Sequence, residues 1–169
     1  MSEEFKDTPE MKQLTEKEEH VRKRQQLFQH CAFLLNRETP IYSLQYLISS
    51  FGGVFVTEDD EAGLKITHHV MDRPVPGKLQ TNREHVVPQW IVDSLNNLYL
   101  LPTGPYKPGQ APPPHLSPFV DNTKEGYVPQ RLKEIQALKG EAVEELEEEE
   151  ESEQEEAEER EKTELKQTI

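Results

Sequence analysis

"SSFGGVFVTE", residues 49–58, decides the fold. Two adjacent glycines separate a helical pattern from a short β-branched run. Ahead of them, Ile41, Leu44, Leu47, Ile48 and Phe51 recur at helical spacing and give one apolar face. Thr39-Pro40 marks the start of that helix, with Thr39 as N-cap and Pro40 at the first helical position. One glycine of Gly52-Gly53 closes the helix in the left-handed conformation, and the other lets the chain turn sharply into a strand at 54–58. Both glycines therefore read as structural. No GxGxxG or GK[ST] surrounds them, so they do not read as a phosphate cradle.

Working outward, "HCAFLLNR" (30–37) predicts a buried strand, "DDEAG" (59–63) a turn and "LKITHHVMD" (64–72) another strand. In that strand Ile66, His68 and Val70 share one face, and Thr67, His69 and Met71 the other. Residues 73–84 carry two prolines and a glycine and predict a loop or broken helix. "HVV" (85–87) is a short strand, and Pro88 opens a second helix with Trp90, Ile91, Ser94, Leu95 and Leu98 at helical spacing. Trp90 and Ser94 read as packing residues of that helix.

The flanks have different compositions. Residues 1–26 are charged and helix-compatible, with Leu14, Val21 and Phe28 as a thin apolar seam. Residues 27–101 form the domain. The stretch 102–129 holds 8 of the 13 prolines and predicts no regular element. It reads as an extended segment (102–128) lying over the domain, pinned by Tyr106, Leu116 and Phe119. Residues 129–140 predict a short amphipathic helix. The rest, 141–169, is low-complexity and reads as a solvated, disordered tail, with 14 Glu among residues 141–161.

The formal charge of −14 divides unevenly. Residues 1–140 carry 18 acidic and 16 basic side chains, giving −2; residues 141–169 carry 15 and 3, giving −12. The acidity belongs to the tail, which could attract basic partners. The single cysteine, Cys31, excludes an internal disulfide and fits a reducing compartment. No apolar run reaches the roughly 18 residues of a membrane span, and the N-terminus has no secretory apolar core. The chain reads as soluble and intracellular.

Little in the sequence carries chemistry. His68 and His69 point to opposite faces of a strand, and neither CxxC nor HExxH occurs, so no metal is expected. No GxSxG elbow is present. The expectation is a protein without catalytic activity, cofactor or small-molecule substrate. Lys65, Arg73, Lys78 and Arg83 form the one basic stretch in the domain, a small footprint for a nucleic-acid binder.

The order of strand, helix, Gly-Gly, two strands, irregular segment, strand and Trp helix resembles a BRCT domain. The resemblance rests on Phe51-Gly52-Gly53, on "ITHHV" (66–70) and on "VVPQWIVDS" (86–94). It implies an α/β fold, a four-stranded parallel sheet flanked by helices. Some members read phosphoserine through a Ser-Gly or Thr-Gly at the end of the first strand. Here that strand ends "LLNRETP" (34–40), which departs from the pattern. Arg37, Lys78 and Arg83 could form a substitute anion or partner site, although solvated surface charge is the plainer reading.

Longer stretches, "FLLNRE" (33–38), "ITHHVMDRP" (66–74), "VPQWIVDSLNNLYLLP" (87–102), "PPHLSPFV" (113–120) and "GYVP" (126–129), resemble the pescadillo family. That resemblance implies a nuclear and nucleolar scaffold in large ribosomal subunit assembly and precursor rRNA processing, working with WD-repeat assembly proteins in the pre-60S particle. Any rRNA contact would be indirect, and no membrane is involved. Tyr106, His115, Leu116 and Phe119 are the expected docking or fold-bracing residues. The alternatives are a phosphopeptide-binding module of DNA-damage or cell-cycle signalling and an RNA-contacting module. The resemblance also implies a long N-terminal domain ahead of such a module, outside these 169 residues.

Overall fold

A computed structural model describes residues 8–58 and 63–140. The acidic tail expected at 141–169, residues 59–62 of the turn expected at 59–63, and the first seven residues lie outside the described residues. The chain divides into two compact units, one ending at Pro118 and one beginning at Phe119.

The first unit holds α1 (Pro9–Gln26), β1 (Ala32–Leu35), α2 (Ile41–Ser50), β2 (Val54–Val56), β3 (His68–Val70), β4 (Glu84–Val86) and α3 (Pro88–Asn97), followed by a 3-10 turn at Gly104–Tyr106. The strands form one four-stranded sheet in the order β2-β1-β3-β4, and each neighbouring pair is parallel. Direction, count and flanking helices are those the BRCT resemblance implied. The second unit contains α4 (Asn122–Glu125) and α5 (Gln130–Lys139), the latter ending at the left-handed Gly140.

The register gives the sheet two distinct faces. Phe33 pairs with His68, and Leu35 with Val70, which pairs with Val86. These residues face an aromatic core of Phe28, Phe51 and Trp90, all buried. On the other face Leu34 pairs with His69, and His69 with His85. There Leu34, Val56 and Ile66 form a small cluster with Leu64 against it. No helix forms between β3 and β4, where residues 71–83 are irregular, as the two prolines and glycine require.

The double glycine behaves as its neighbours demand. Gly52 has φ +83° and faces the Gln25 carbonyl. A side chain at Gly53 would sit 2.8 Å from Ile48 Cγ2 and 2.9 Å from Phe28 Cβ. The end of α1 is fastened at this corner, where the Arg24 guanidinium lies 5.7 Å from the Phe51 ring centroid. Helix α1 itself buries no residue: of the thin seam, Leu14 and Val21 are exposed, and only Phe28, just beyond the helix, enters the core.

Four expectations need correction. Thr39 is not the cap of α2: Pro40 occupies the N-cap position, and the Thr39 hydroxyl donates 2.6 Å to the Asn36 carbonyl, closing the preceding turn. The strands are shorter than the apolar runs, because Ile66 leaves the ladder to cover the second face. The proline-rich stretch is not wholly irregular: Pro105 sits in the first positions of its 3-10 turn, where a missing N–H costs nothing, and α4 follows. Phe119 is not an anchor by burial, being 94% exposed. Tyr106 is fully buried, and Leu116 is half-buried.

Candidate functional site

The densest polar arrangement lies along α3. Trp90, Ile91, Asp93 and Ser94 are its buried residues. Trp90 stacks on His68 with ring centroids 4.6 Å apart and lies 6.2 Å from Phe33 and 6.1 Å from Phe28. Its indole N–H donates 2.8 Å to the Leu101 carbonyl. The Leu101 amide in turn donates 3.3 Å to the Ser94 hydroxyl oxygen. Those two bonds seat Leu101, three residues past the left-handed turn that Leu98 makes at φ +48°.

Asp93 is the centre of a second set. The buried Tyr106 hydroxyl donates 2.8 Å to its Oδ2, and His115 Nδ1 donates 2.7 Å to its Oδ1. Gln89 Nε2 donates to the same carboxylate at 3.1 Å and to the Pro113 carbonyl at 2.8 Å. The Val87 amide donates 2.9 Å to the Tyr106 carbonyl. One helix thus holds a strap, residues 101–115, through the side chains of Gln89, Trp90, Asp93 and Ser94. A buried carboxylate needs such donors, because an unpaired one is costly. The strap passes the carboxyl ends of the strands, where a cleft of about 380 Å³ opens between Pro40, Asp72, Pro88 and Pro112.

His68, sandwiched between Phe33 and Trp90, has its pKa pushed below the usual imidazole range by burial, with the Glu84 carboxylate acting in the opposite sense. Its Nδ1 is 2.8 Å from the Thr67 hydroxyl. His69 turns to the other face, where its Nε2 donates 2.6 Å to Asn36 Oδ1 and its ring lies 5.4 Å from that of His85. Burial raises the pKa of the Cys31 thiol, which makes it a poor nucleophile. Among the described residues no group of three or more His, Cys, Asp or Glu side chains is placed to hold a metal, and no helix is long and apolar enough to cross a membrane.

The three cations are not gathered. Arg37 follows the carboxyl end of β1, while Arg83 precedes the amino end of β4. Because these strands run parallel, the two arginines stand at opposite ends of the sheet. Arg37 approaches Glu58 at 3.9 Å, with both side chains largely exposed. Lys78 lies exposed in the irregular segment before β4. Of the strap residues, Tyr106 and His115 are both tied to Asp93, which places them with the bracing role.

Asp93 and Gln89 escaped the sequence reading. The available signal was a carboxylate inside the apolar face Trp90-Ile91-Ser94, a position where an unpartnered charge is seldom found.

No family model matches this sequence. It is similar to the pescadillo homolog of Arabidopsis thaliana, 45% identical over 136 residues, covering 78% of this chain and 23% of that protein. The pescadillo homolog of Caenorhabditis elegans is 43% identical over 126 residues, covering 71% and 23%. Pescadillo of Danio rerio is 37% identical over 144 residues, covering 80% and 25%. The chain thus spans about a quarter of the length of these relatives. The solution structure of the BRCT domain from human DNA repair protein REV1 aligns at a TM-score of 0.37 with 24% identity, covering 48% of this chain and 86% of that one.

Proposed function

As a relative of the pescadillo family over this segment, the chain is, we propose, a protein-binding scaffold module in large ribosomal subunit assembly and precursor rRNA processing. Its partners are WD-repeat assembly proteins of the pre-60S particle, met in the nucleus and nucleolus. It contacts rRNA through those proteins, and it has no catalytic role.

The observation that carries this reading is kinship that extends over four-fifths of the chain. The geometry is consistent with it. Side chains with chemical capability, namely Asp93, His115, Tyr106 and Gln89, are engaged with one another in holding the strap. What remains outward is surface for contact. A phosphopeptide reader would need its cations together, and Arg37 and Arg83 stand at opposite ends of the sheet.

The test is a tagged pull-down from nuclear extract, at low and moderate salt, with RNase and phosphatase arms. WD-repeat assembly factors and pre-60S proteins should be captured and should survive both treatments. Loss on phosphatase would replace the scaffold with a phosphate reader. Loss on RNase would replace it with an RNA-contacting module.

A further inference from the structure

Residues 39–57 are nineteen consecutive positions without a charged side chain, in a chain that is 31% charged. They build α2, the glycine corner and the edge strand β2. Leu44 and Ile48 turn inward. Outward, one turn apart on the helix, stand Tyr42 and Tyr46, 88% and 74% exposed. Ser43, Ser49 and Ser50 share the solvent side, and Val54 on the edge strand is half exposed.

Helix α1, exposed along its whole length, is by contrast rich in charge, and its exposed apolar residues Met11, Leu14 and Val21, at 43–50%, show far less surface than either tyrosine. Two large rings in water at an i, i+4 spacing are an unfavourable solvent face. They are a favourable contact face, because tyrosine offers a rigid apolar body and a hydroxyl at small entropic cost.

Resting on the protein-binding reading above, we infer that the Tyr42–Tyr46 face of α2 is the surface that docks a protein partner. The partner presents an uncharged, concave patch with slots for two rings and acceptors for their hydroxyls.

Charge matching selects this occupant. A neutral face gives nothing to a basic or acidic partner, and burying a partner's charge against it would cost desolvation without return. RNA could stack on the rings, but no Lys or Arg occurs between Arg37 and Lys65 to meet its phosphates, and Arg24, the cation at the glycine corner, lies over the Phe51 ring. A second copy of this chain is a poor mate. A twofold contact sets the same patch against itself, so protruding rings would meet protruding rings where each requires a slot.

The experiment uses the whole 169-residue chain, tagged, with nuclear extract as the probe and protein identification as the readout. Parent, Tyr42→Ser/Tyr46→Ser and Arg37→Glu/Lys78→Glu/Arg83→Glu are compared between 0.1 and about 0.5 M salt, a range over which exposed charge pairs are screened. The inference expects WD-repeat assembly factors captured by the parent to fall about tenfold or more with the tyrosine pair changed. It expects the charge-reversed variant to capture normally, and salt to change little. Thermal unfolding of both variants should match the parent, separating a lost surface from a lost fold.

Full capture by the tyrosine variant, or capture that fails with salt, overturns the inference and leaves the scaffold reading standing. A parent that captures none of these factors overturns both. Light scattering that finds a dimer, dissolved by the same two substitutions, overturns it in favour of a second copy.

Discussion

Helices α2 and α3 are each ten residues long, each enters through a proline, and they touch one another in the same unit. They use their polar side chains in opposite ways. α3 turns Asp93 and Ser94 inward, and each becomes an anchor for chain that follows. α2 turns only Leu44 and Ile48 inward and leaves two tyrosines in water. A buried polar group must be matched, so it marks architecture. An exposed uncharged aromatic has no such obligation, and the α2 pair is the one for which we infer a contact role.

The largest expected effect is on α3. Trp90→Ala removes the ring that Phe28, Phe33 and His68 surround, and should cost about 3–5 kcal/mol, enough to abolish cooperative unfolding in a small domain. Urea denaturation followed by circular dichroism would measure it. A midpoint close to the parent would break the comparison at its base.

Asp93→Ala comes next. It removes the carboxylate to which the buried Tyr106 hydroxyl, His115 and Gln89 all donate, at about 1–3 kcal/mol. Amide exchange should rise along the strap, residues 101–115, more than in the sheet. Asp93→Asn retains an acceptor and should fall between the two proteins. Uniform exchange in Asp93→Ala would mean the strap is held by packing alone.

These two residues also divide what the sequence made legible from what it did not. The glycine corner and Trp90 were readable because their constraints are local: a helix end, a tight turn, a helical period. Asp93 was not, because its partners lie thirteen and twenty-two residues away. Strand ends were overextended for the same reason, since ladders end where the neighbour ends. The cations differ again: Arg37 and Arg83 share a sign in the sequence, but parallel strand direction puts them at opposite ends of the sheet. On α2 the inward face is legible as the periodicity of Leu44 and Ile48, whereas Tyr42 and Tyr46 lie off that face and carry no core signal.

A smaller effect tests the inner side of α3 by pH. His68 folds with its pKa lowered by burial, so the unfolded chain takes up the proton more readily. The sign follows: this contribution is fully present above the unfolded value of about 6.5, and is lost as pH falls from there toward the folded value. Thermal midpoints should drop between about pH 7.5 and 5.5. They should drop less in His68→Phe, which keeps a ring between Phe33 and Trp90 and cannot titrate. Equal drops would place the acid sensitivity elsewhere.

The smallest effect on stability is expected where the interaction reading puts the most weight. Tyr42→Ser and Tyr46→Ser together should move unfolding by no more than about 0.5 kcal/mol, because both rings already stand in water. Calorimetry on the parent and the double variant decides it. A loss of several kcal/mol would mean the rings pack in solution, making α2 a second architectural helix and erasing its contrast with α3. A null result sharpens the contrast, because a pair of large apolar rings that adds nothing to the fold can matter to this protein only through something that covers them.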